Sequence, residues 1–248
     1  MSSTDFDEKD YANTLKTTLF MDEFLRKQEV VMDKYDPEKM VALVVDEWGA
    51  WYAGGTEPFP EALLGQQNTM RDAVLAGLTL DIFNRHADKV AMASVAQLVN
   101  CLQSLFLAHE DKFCVTPTYH VFDLYSPHQG ARSVRTVVSA PETSYSRNGR
   151  QAGFRGLNGS ASVNGSQLTL TVTNPSLDQA REAEITVRGG TVRSAAGMML
   201  AENDAHAHNS LEAPRAVEPK AVAVTVKGSG AVFQFPPASV TRIAFTLG

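Results

Sequence analysis

The chain has 248 residues, of which 44% are hydrophobic and 20% are charged, a composition typical of soluble globular proteins. Its net charge of -6 gives no electrostatic basis for binding nucleic acid. No apolar run reaches the roughly 20 residues that a membrane-spanning helix needs, so we expect neither a nucleic-acid nor a membrane partner. Two cysteines, Cys101 and Cys114, are too few for a disulfide framework, and both are expected to be reduced and buried.

The first predicted element is one long helix. Apolar residues recur at roughly helical spacing from Asp5 to about Tyr35, with Asp5 and Glu8 as a capping pair and Pro37 as the stop. The run VALVV (41–45) that follows is short, β-branched and wholly apolar. This pattern predicts a parallel strand that is buried on both faces.

The same order of elements then repeats. The sequence predicts a helix from about Glu61 to Ala87 and a second buried strand in KVAMASVAQ (89–97). A third helix, TPTYHVFDLYSPHQG, is predicted to begin at Thr116 and Pro117 and to stop at Gly130. Helix, strand, helix, strand and helix is the order of a parallel α/β architecture.

From residue 131 to residue 248 the apolar pattern changes to strict alternation. Runs such as RSVRTVVSA, SASVNGSQLTLTVTN and SVTRIAFTLG alternate polar and apolar residues, as strands with one buried face do. Asn164 and Gly165 predict a tight hairpin turn between two of these runs. We expect an antiparallel β-sandwich, with loops at 141–153 and 201–220.

The strongest candidate for chemistry is the acidic pair Asp46 and Glu47, which ends the first predicted strand and precedes Trp48 and Trp51. Catalytic groups of β/α barrels lie at the carboxyl ends of the strands. A carboxylate beside flat aromatic faces is also the combination found in sugar sites. The alternative is an exposed acidic pair at a strand end, because the same dipeptide occurs twice in the first predicted helix.

Gln97 closes the second predicted strand, where its amide could hold a substrate hydroxyl or be a buried amide satisfied by the backbone. Asn100 has the same two interpretations. His206 and His208 in AHAHN have the spacing of metal ligands, but no third ligand lies nearby in the sequence, which favours structural or solvated histidines. We therefore expect no metal and no organic cofactor.

Three blocks of the sequence resemble the closing part of the family 51 glycoside hydrolases: DEWGAWY (46–52), QQNTMRDAVLAGLTLDIFNRHADKVAMASVAQLVN (66–100) and TPTYHVFDLYSPHQG (116–130). The resemblance extends to the terminal SVTRIAFTLG, and members of this family are α-L-arabinofuranosidases. It implies a (β/α)8 barrel followed by a jelly-roll β-sandwich. Residues 1–130 would be the C-terminal portion of the barrel, with its seventh and eighth strands, and residues 131–248 the sandwich.

The resemblance also implies roles for individual residues. Glu47 corresponds to the nucleophile of a retaining mechanism, Trp51 to a wall of the sugar site, and Gln97 to a residue that hydrogen-bonds near the nucleophile. The implied substrates are terminal arabinofuranosyl groups of arabinan, arabinoxylan and related oligosaccharides. Many members have Asn where this chain has Gly49, a change expected to leave the nucleophile in place. Family members often assemble, so a homo-oligomer is expected.

One departure from the family is an absence. The acid/base of the family is the glutamate of an Asn-Glu pair that ends the fourth strand, and this sequence contains no Asn-Glu dipeptide. Only two barrel strands are predicted, whereas a whole barrel takes about 250 residues. We therefore expect a C-terminal portion with open strand edges, whose partner is the missing N-terminal portion of the barrel. By itself it is expected to be nearly inactive on arabinan and to aggregate.

Two alternatives to this interpretation stay open at the level of the sequence. One is a non-catalytic protein, either a carbohydrate-binding β-sandwich or a structural subunit. The other is a related retaining glycosidase that acts on a different sugar, since the loops of the first six barrel strands are not in the sequence.

Overall fold

A computed structural model describes residues 1–53, 64–147 and 150–248 of the chain. Within these residues the helices are α1 Glu8–Thr18, α2 Phe20–Tyr35, α3 Met70–Arg85 and α4 Pro117–Tyr125, the last followed by the 3-10 turn Ser126–His128. The strands are β1 Leu43–Trp48, β2 Val90–Val95, β3 Phe106–His109, β4 Lys112–Val115, β5 Arg132–Val134, β6 Glu142–Arg147, β7 Arg150–Arg155, β8 Asn158–Asn164, β9 Gln167–Asn174, β10 Arg181–Thr186, β11 Val192–Ala201, β12 Lys220–Val222, β13 Thr225–Lys227, β14 Gly230–Phe235 and β15 Ser239–Leu247. None of the described helices is long and apolar enough to span a membrane.

The predicted first helix is in fact two helices that meet at Leu19. The hydroxyls of Thr14, Thr17 and Thr18 each bond the carbonyl four residues earlier, a contact that bends helices and weakens them. The predicted capping pair was wrong as well. Asp7 is the N-cap, and its carboxylate accepts a hydrogen bond from the Asp10 N–H at 2.7 Å.

The second predicted helix begins later than its apolar pattern indicates. Its predicted start at Glu61 lies outside the described residues, and α3 begins only at Met70. Thr69 is the N-cap, and the Asp72 carboxylate accepts a hydrogen bond from the Thr69 N–H at 2.8 Å, which closes a capping box. The predicted start of α4 was correct, since the Thr116 hydroxyl accepts a hydrogen bond from the Tyr119 N–H, but α4 ends at Tyr125 and not at Gly130.

Strands β1 and β2 pair in parallel, as predicted, but they are not buried on both faces. One face packs on the helices through side chains such as Val45. On the other face the side chains of Val44 and Met92 are 47% and 55% exposed. Among the described residues these two strands pair only with each other, which leaves open edges and an uncovered apolar face, as expected.

Most of residues 131–248 forms the predicted antiparallel β-sandwich. A six-stranded sheet with the order β12-β11-β15-β9-β8-β5 faces a three-stranded sheet with the order β10-β14-β13. Phe235 and Phe245, both fully buried, belong to the core cluster of the sandwich. The hairpin between β8 and β9 is confirmed, with Gly165 and Ser166 as its two-residue turn, one position later than predicted, and Gly165 has a φ of +57°.

One predicted loop is a hairpin, and one of the two cysteines is not fully buried. Residues 141–153 lie largely in the β6–β7 hairpin. Its Tyr145 and Phe154 pack on the helical core, with ring centroids 5.8 Å apart. The predicted loop at 201–220 is confirmed between β11 and β12. Both cysteines are free, with Cys114 buried and Cys101 only half-buried.

Helix α3 lies directly on the outer face of the six-stranded sheet. A Cβ atom on Gly77 would lie 2.6 Å from the Thr173 hydroxyl, so only glycine permits this close approach. One turn later the Asp81 carboxylate accepts hydrogen bonds from the hydroxyls of Ser160 and Thr171, each at 2.8 Å. A buried polar contact thus joins the helices to the sandwich. The domain boundary at residue 130 stays a prediction.

Candidate active site

Glu47 lies one residue before the end of β1, and an irregularity in that strand directs it. From Val45 to Trp48 the strand advances three residues while its partner advances two, from Ala93 to Val95. This irregularity of the register, which follows an opposite shift between Leu43 and Val44, interrupts the alternation of side chains. Val45 and Trp48 therefore both pack on the helical core, and Glu47 between them is exposed.

The two tryptophans have different environments. Trp48 is 5% exposed and packs between the rings of Phe83 and Phe122, with centroid distances of 5.7 Å and 5.8 Å. Trp51 is 69% exposed. The expectation that both tryptophans offer flat aromatic faces beside a carboxylate was therefore wrong for Trp48. Trp48 belongs to the core, and Trp51 alone of the pair offers an accessible aromatic face.

Gln97 lies two residues after β2, and the paired strands bring it to the same edge as Glu47. The Ala96 N–H donates to the Trp48 carbonyl at 2.9 Å, which joins the carboxyl ends of the two strands. The Ala96–Gln97 peptide bond is cis, and the Gln97 side chain is exposed rather than a buried amide. Asn100, in contrast, bonds the Ala108 backbone through both amide atoms, at 2.7 Å and 2.8 Å, which makes it structural.

Gln103 is the buried amide that the sequence did not single out. Its Oε1 accepts a hydrogen bond from the Ala50 N–H at 2.8 Å, and its Nε2 donates to the Asp72 carbonyl at 3.0 Å. Gly49 packs against it with a φ of +134°, and a Cβ atom there would lie 3.0 Å from both Cβ and Oε1 of Gln103. In this backbone conformation any side chain at residue 49 would be strained.

Trp51 is exposed, but the residues on both sides of it are anchored. The Gln66 amide donates to the Ala50 carbonyl at 2.9 Å and accepts from the Tyr52 N–H at 3.1 Å. The Tyr52 hydroxyl donates to the Asp72 carboxylate at 2.8 Å, and burial raises the pKa of both groups. Residues 49–52, which we name the Trp51 loop, are thus fixed by buried amides and a buried carboxylate.

The histidines of AHAHN have partners other than a metal. The two ring nitrogens of His206 lie 2.7 Å from the Asp204 carboxylate and 2.9 Å from the Phe6 carbonyl. Nδ1 of His208 lies 2.7 Å from the His206 carbonyl. In the part of the chain that the structure describes, no group of three or more His, Cys, Asp or Glu side chains is arranged to hold a metal ion.

A cavity of about 440 Å³ lies beside the Trp51 loop, on the helical side of β1. Trp48 and Trp51 line it together with threonines of α1 and α3. Neither Glu47 nor Gln97 lines this cavity. The candidate active site is therefore the open surface at the strand ends, where a carboxylate, an amide and an aromatic ring are all accessible, and not this cavity.

Comparison with known proteins identifies the family. Residues 46–239 match the family model described as the alpha-L-arabinofuranosidase C-terminal domain. The chain is 34% identical over 221 residues to an intracellular exo-alpha-L-arabinofuranosidase of Bacteroides ovatus, a match that covers 88% of this chain and 42% of that protein.

Solved structures agree with this assignment. The crystal structure of the GH51 arabinofuranosidase from Xanthomonas axonopodis pv. citri has a TM-score of 0.91 and 38% identity, covering 99% of this chain and 49% of that one. The GH51 alpha-L-arabinofuranosidase from Thermotoga petrophila has a TM-score of 0.79 and 26% identity, covering 96% and 50%. The chain thus spans about half the length of these relatives. It belongs to the α-L-arabinofuranosidase C-terminal domain family, the closing part of the family 51 glycoside hydrolases.

Proposed function

We propose that this chain contributes the nucleophile to a retaining α-L-arabinofuranosidase, with Glu47 as that nucleophile. The observation that carries the proposal is the exposure of Glu47 at the carboxyl end of a parallel strand, at the same edge as the exposed Gln97. The substrate class is a terminal arabinofuranosyl group, in line with the relatives named exo-alpha-L-arabinofuranosidases. Glycans that carry such groups are the proposed binding partner.

In the proposed mechanism, a Glu47 carboxylate oxygen bonds to the anomeric carbon while the glycosidic C–O bond breaks. The leaving oxygen takes a proton from a second carboxylic acid. Water then attacks the anomeric carbon of the arabinosyl ester and gives its proton to that same group, which restores Glu47 with retention of configuration. The sequence has no Asn-Glu pair, so we propose that the acid belongs to the half of the relatives' length that this chain does not span.

Trp51 and Gln97 are proposed to hold the sugar. The exposed Trp51 ring offers an apolar face to the C–H side of a furanose, and its anchored loop limits the entropy lost on binding. The Gln97 amide carries both a donor and an acceptor, which suits a sugar hydroxyl next to the nucleophile.

The test separates nucleophilic attack from the need for an acid. 4-Nitrophenyl α-L-arabinofuranoside has a leaving group that departs without a proton, so attack by Glu47 alone leaves one arabinosyl group on the protein. The purified chain would be incubated with it, alone and assembled with an N-terminal half of the Xanthomonas relative whose Asn-Glu glutamate is changed to alanine, so that the ester is not hydrolysed, and then digested for mass spectrometry. We expect an arabinosyl adduct on the peptide that contains Glu47.

Asp46→Asn is the matched control, because Asp46 is the neighbouring exposed carboxylate. This variant should keep the adduct, whereas Glu47→Gln should lose it and should slow nitrophenolate release by about 10³-fold or more. An adduct that persists in Glu47→Gln, or no adduct in either preparation, would contradict the proposal. The second of these results is the one expected of a non-catalytic carbohydrate-binding or structural protein.

A further inference from the structure

A loop of the β-sandwich reaches the Trp51 loop through a stack of four side chains. The His206 ring stacks on the Phe6 ring with centroids 4.1 Å apart and planes inclined by 24°. The other partner of Phe6 is the Arg71 guanidinium, 3.8 Å from the ring centroid, and the same guanidinium lies 3.9 Å from the centroid of Tyr52. Tyr52 adjoins Trp51, so the stack runs from the sandwich to the proposed sugar site.

The hydrogen bonds of His206 require a charged ring. A carboxylate and a backbone carbonyl can only accept hydrogen bonds, so both ring nitrogens must carry a proton to satisfy Asp204 and Phe6 together. Burial and the Arg71 charge lower the pKa of His206, but its bonds to Asp204 and Phe6 outweigh them and raise it above 6.5. The charged groups that act on His206 are therefore Asp204 from its own loop and Arg71 from α3.

The middle of the stack is buried and held at several points. Arg71 is fully buried, and one of its terminal nitrogens donates to the carbonyls of Ser2 and Ser3, at 3.2 Å and 3.0 Å. The backbone N–H of Arg71 donates to the Ala205 carbonyl at 3.2 Å, in the same loop as His206. The guanidinium thus contacts both aromatic rings and is the link between Phe6 and Tyr52.

We propose that His206 is a positioning residue for Trp51, acting through Phe6, Arg71 and Tyr52. The protonated ring donates a hydrogen bond to the Phe6 carbonyl and stacks on the Phe6 ring. Phe6 keeps the guanidinium against Tyr52, and Tyr52 fixes one end of the Trp51 loop. Loss of the proton removes one of the two His206 hydrogen bonds and releases the stack at its outer end. Only the sugar-binding role of Trp51 rests on the proposed function, because the mechanical link is independent of catalysis.

The two tryptophans of the chain make this link measurable. The chain would be labelled with 5-fluorotryptophan, which gives one fluorine NMR signal for each tryptophan, and Trp51→Phe assigns them. We expect the Trp51 signal to titrate with a midpoint above pH 6.5, the ordinary value for histidine, while the buried Trp48 signal stays constant. No substrate is needed, so a failure here is distinct from a failure of the arabinosyl-adduct test.

Variants identify His206 as the source of the titration. In His206→Gln the Trp51 signal should stay at the chemical shift that it has at high pH in the native chain. Phe6→Leu should abolish the titration although His206 is still present. Asp204→Asn should move the midpoint to lower pH, because it removes the charge that supports the imidazolium. His208→Gln is the matched control from the same loop, outside the stack, and should titrate like the native chain.

Two results would overturn the proposal: a Trp51 signal that does not change with pH in the native chain, or the same titration in His206→Gln. A constant Trp48 signal and an unchanged circular dichroism spectrum show that a variant is folded. If His206→Gln does not fold, the shift of midpoint in Asp204→Asn decides, and an unchanged midpoint overturns the proposal equally.

Discussion

Asp81 is a buried carboxylate whose ionisation should oppose folding. It lies on α3 against the six-stranded sheet and is fully buried. Burial raises the pKa of Asp81 from 3.8 to about 6, an effect that the nearby Arg85 and the hydroxyls of Ser160 and Thr171 offset only in part. Because its pKa is raised on folding, its contribution to stability is complete below pH 3.8 and is lost as the pH rises through about 6.

The size of this effect follows from the two pKa values. A shift of about two units corresponds to about 3 kcal/mol across the whole interval, of which roughly 1.5 kcal/mol is lost between about pH 5 and pH 7.5. Asp81→Asn replaces the carboxyl with an amide that cannot ionise. We expect the native chain to lose about 1.5 kcal/mol of unfolding free energy relative to this variant over that pH interval.

Urea unfolding followed by circular dichroism at the two pH values measures this difference. Ser160→Ala removes one hydroxyl that donates to Asp81, so it should raise the Asp81 pKa further and enlarge the loss. Ser162→Ala is the matched control on the same strand, because Ser162 bonds His128 and not Asp81. Burial lowers the pKa of His128 to about 4, which keeps its ring neutral throughout the interval. A difference between native chain and Asp81→Asn that does not vary with pH would refute the reasoning.

Two further predictions concern the supports of the site and of the helices. Gly49→Ala should lower the free energy of unfolding by on the order of 1–3 kcal/mol, because residue 49 has a positive φ and lies against Gln103. An unchanged melting temperature would contradict this. The His86 ring bonds Asp22 at 3.0 Å and Glu29 at 2.6 Å, and its bond to Asp22 is the largest cause that raises its pKa. The stabilisation that His86 contributes is therefore complete below pH 6.5 and is lost as the pH rises through its folded pKa. In urea unfolding, His86→Gln should lose more unfolding free energy at about pH 6 than at pH 9, and equal losses at the two pH values would contradict this.

The local sequence determined several elements of this protein without help from the rest of the fold. Thr116 and Pro117 start α4 because a hydroxyl cap and a fixed φ act within one turn of chain. Gly165, with its positive φ, closes the β8–β9 hairpin for the same local reason. The ends of the two parallel strands, and so the neighbourhood of Glu47 and Gln97, also follow from short apolar runs.

The orientation of the site residues required the tertiary structure. The sequence places both Trp48 and Trp51 within four residues of Glu47, and only the irregular register of β1 and the packing of Phe83 and Phe122 separate the core ring from the exposed one. A polar composition hid the β6–β7 hairpin, which depends on packing against helices more than a hundred residues away in sequence.

The supports of the Trp51 loop could not be read from the sequence at all. Gln103 acts on Ala50 across 53 positions, and His206 reaches Phe6 across 200. A capping residue or a turn acts on its own backbone, so its effect can be read from residues adjacent in the sequence. A buried amide or a stacked cation has its effect only where the fold brings a distant partner within a few ångströms, and that distance is decided by the packing of the whole chain.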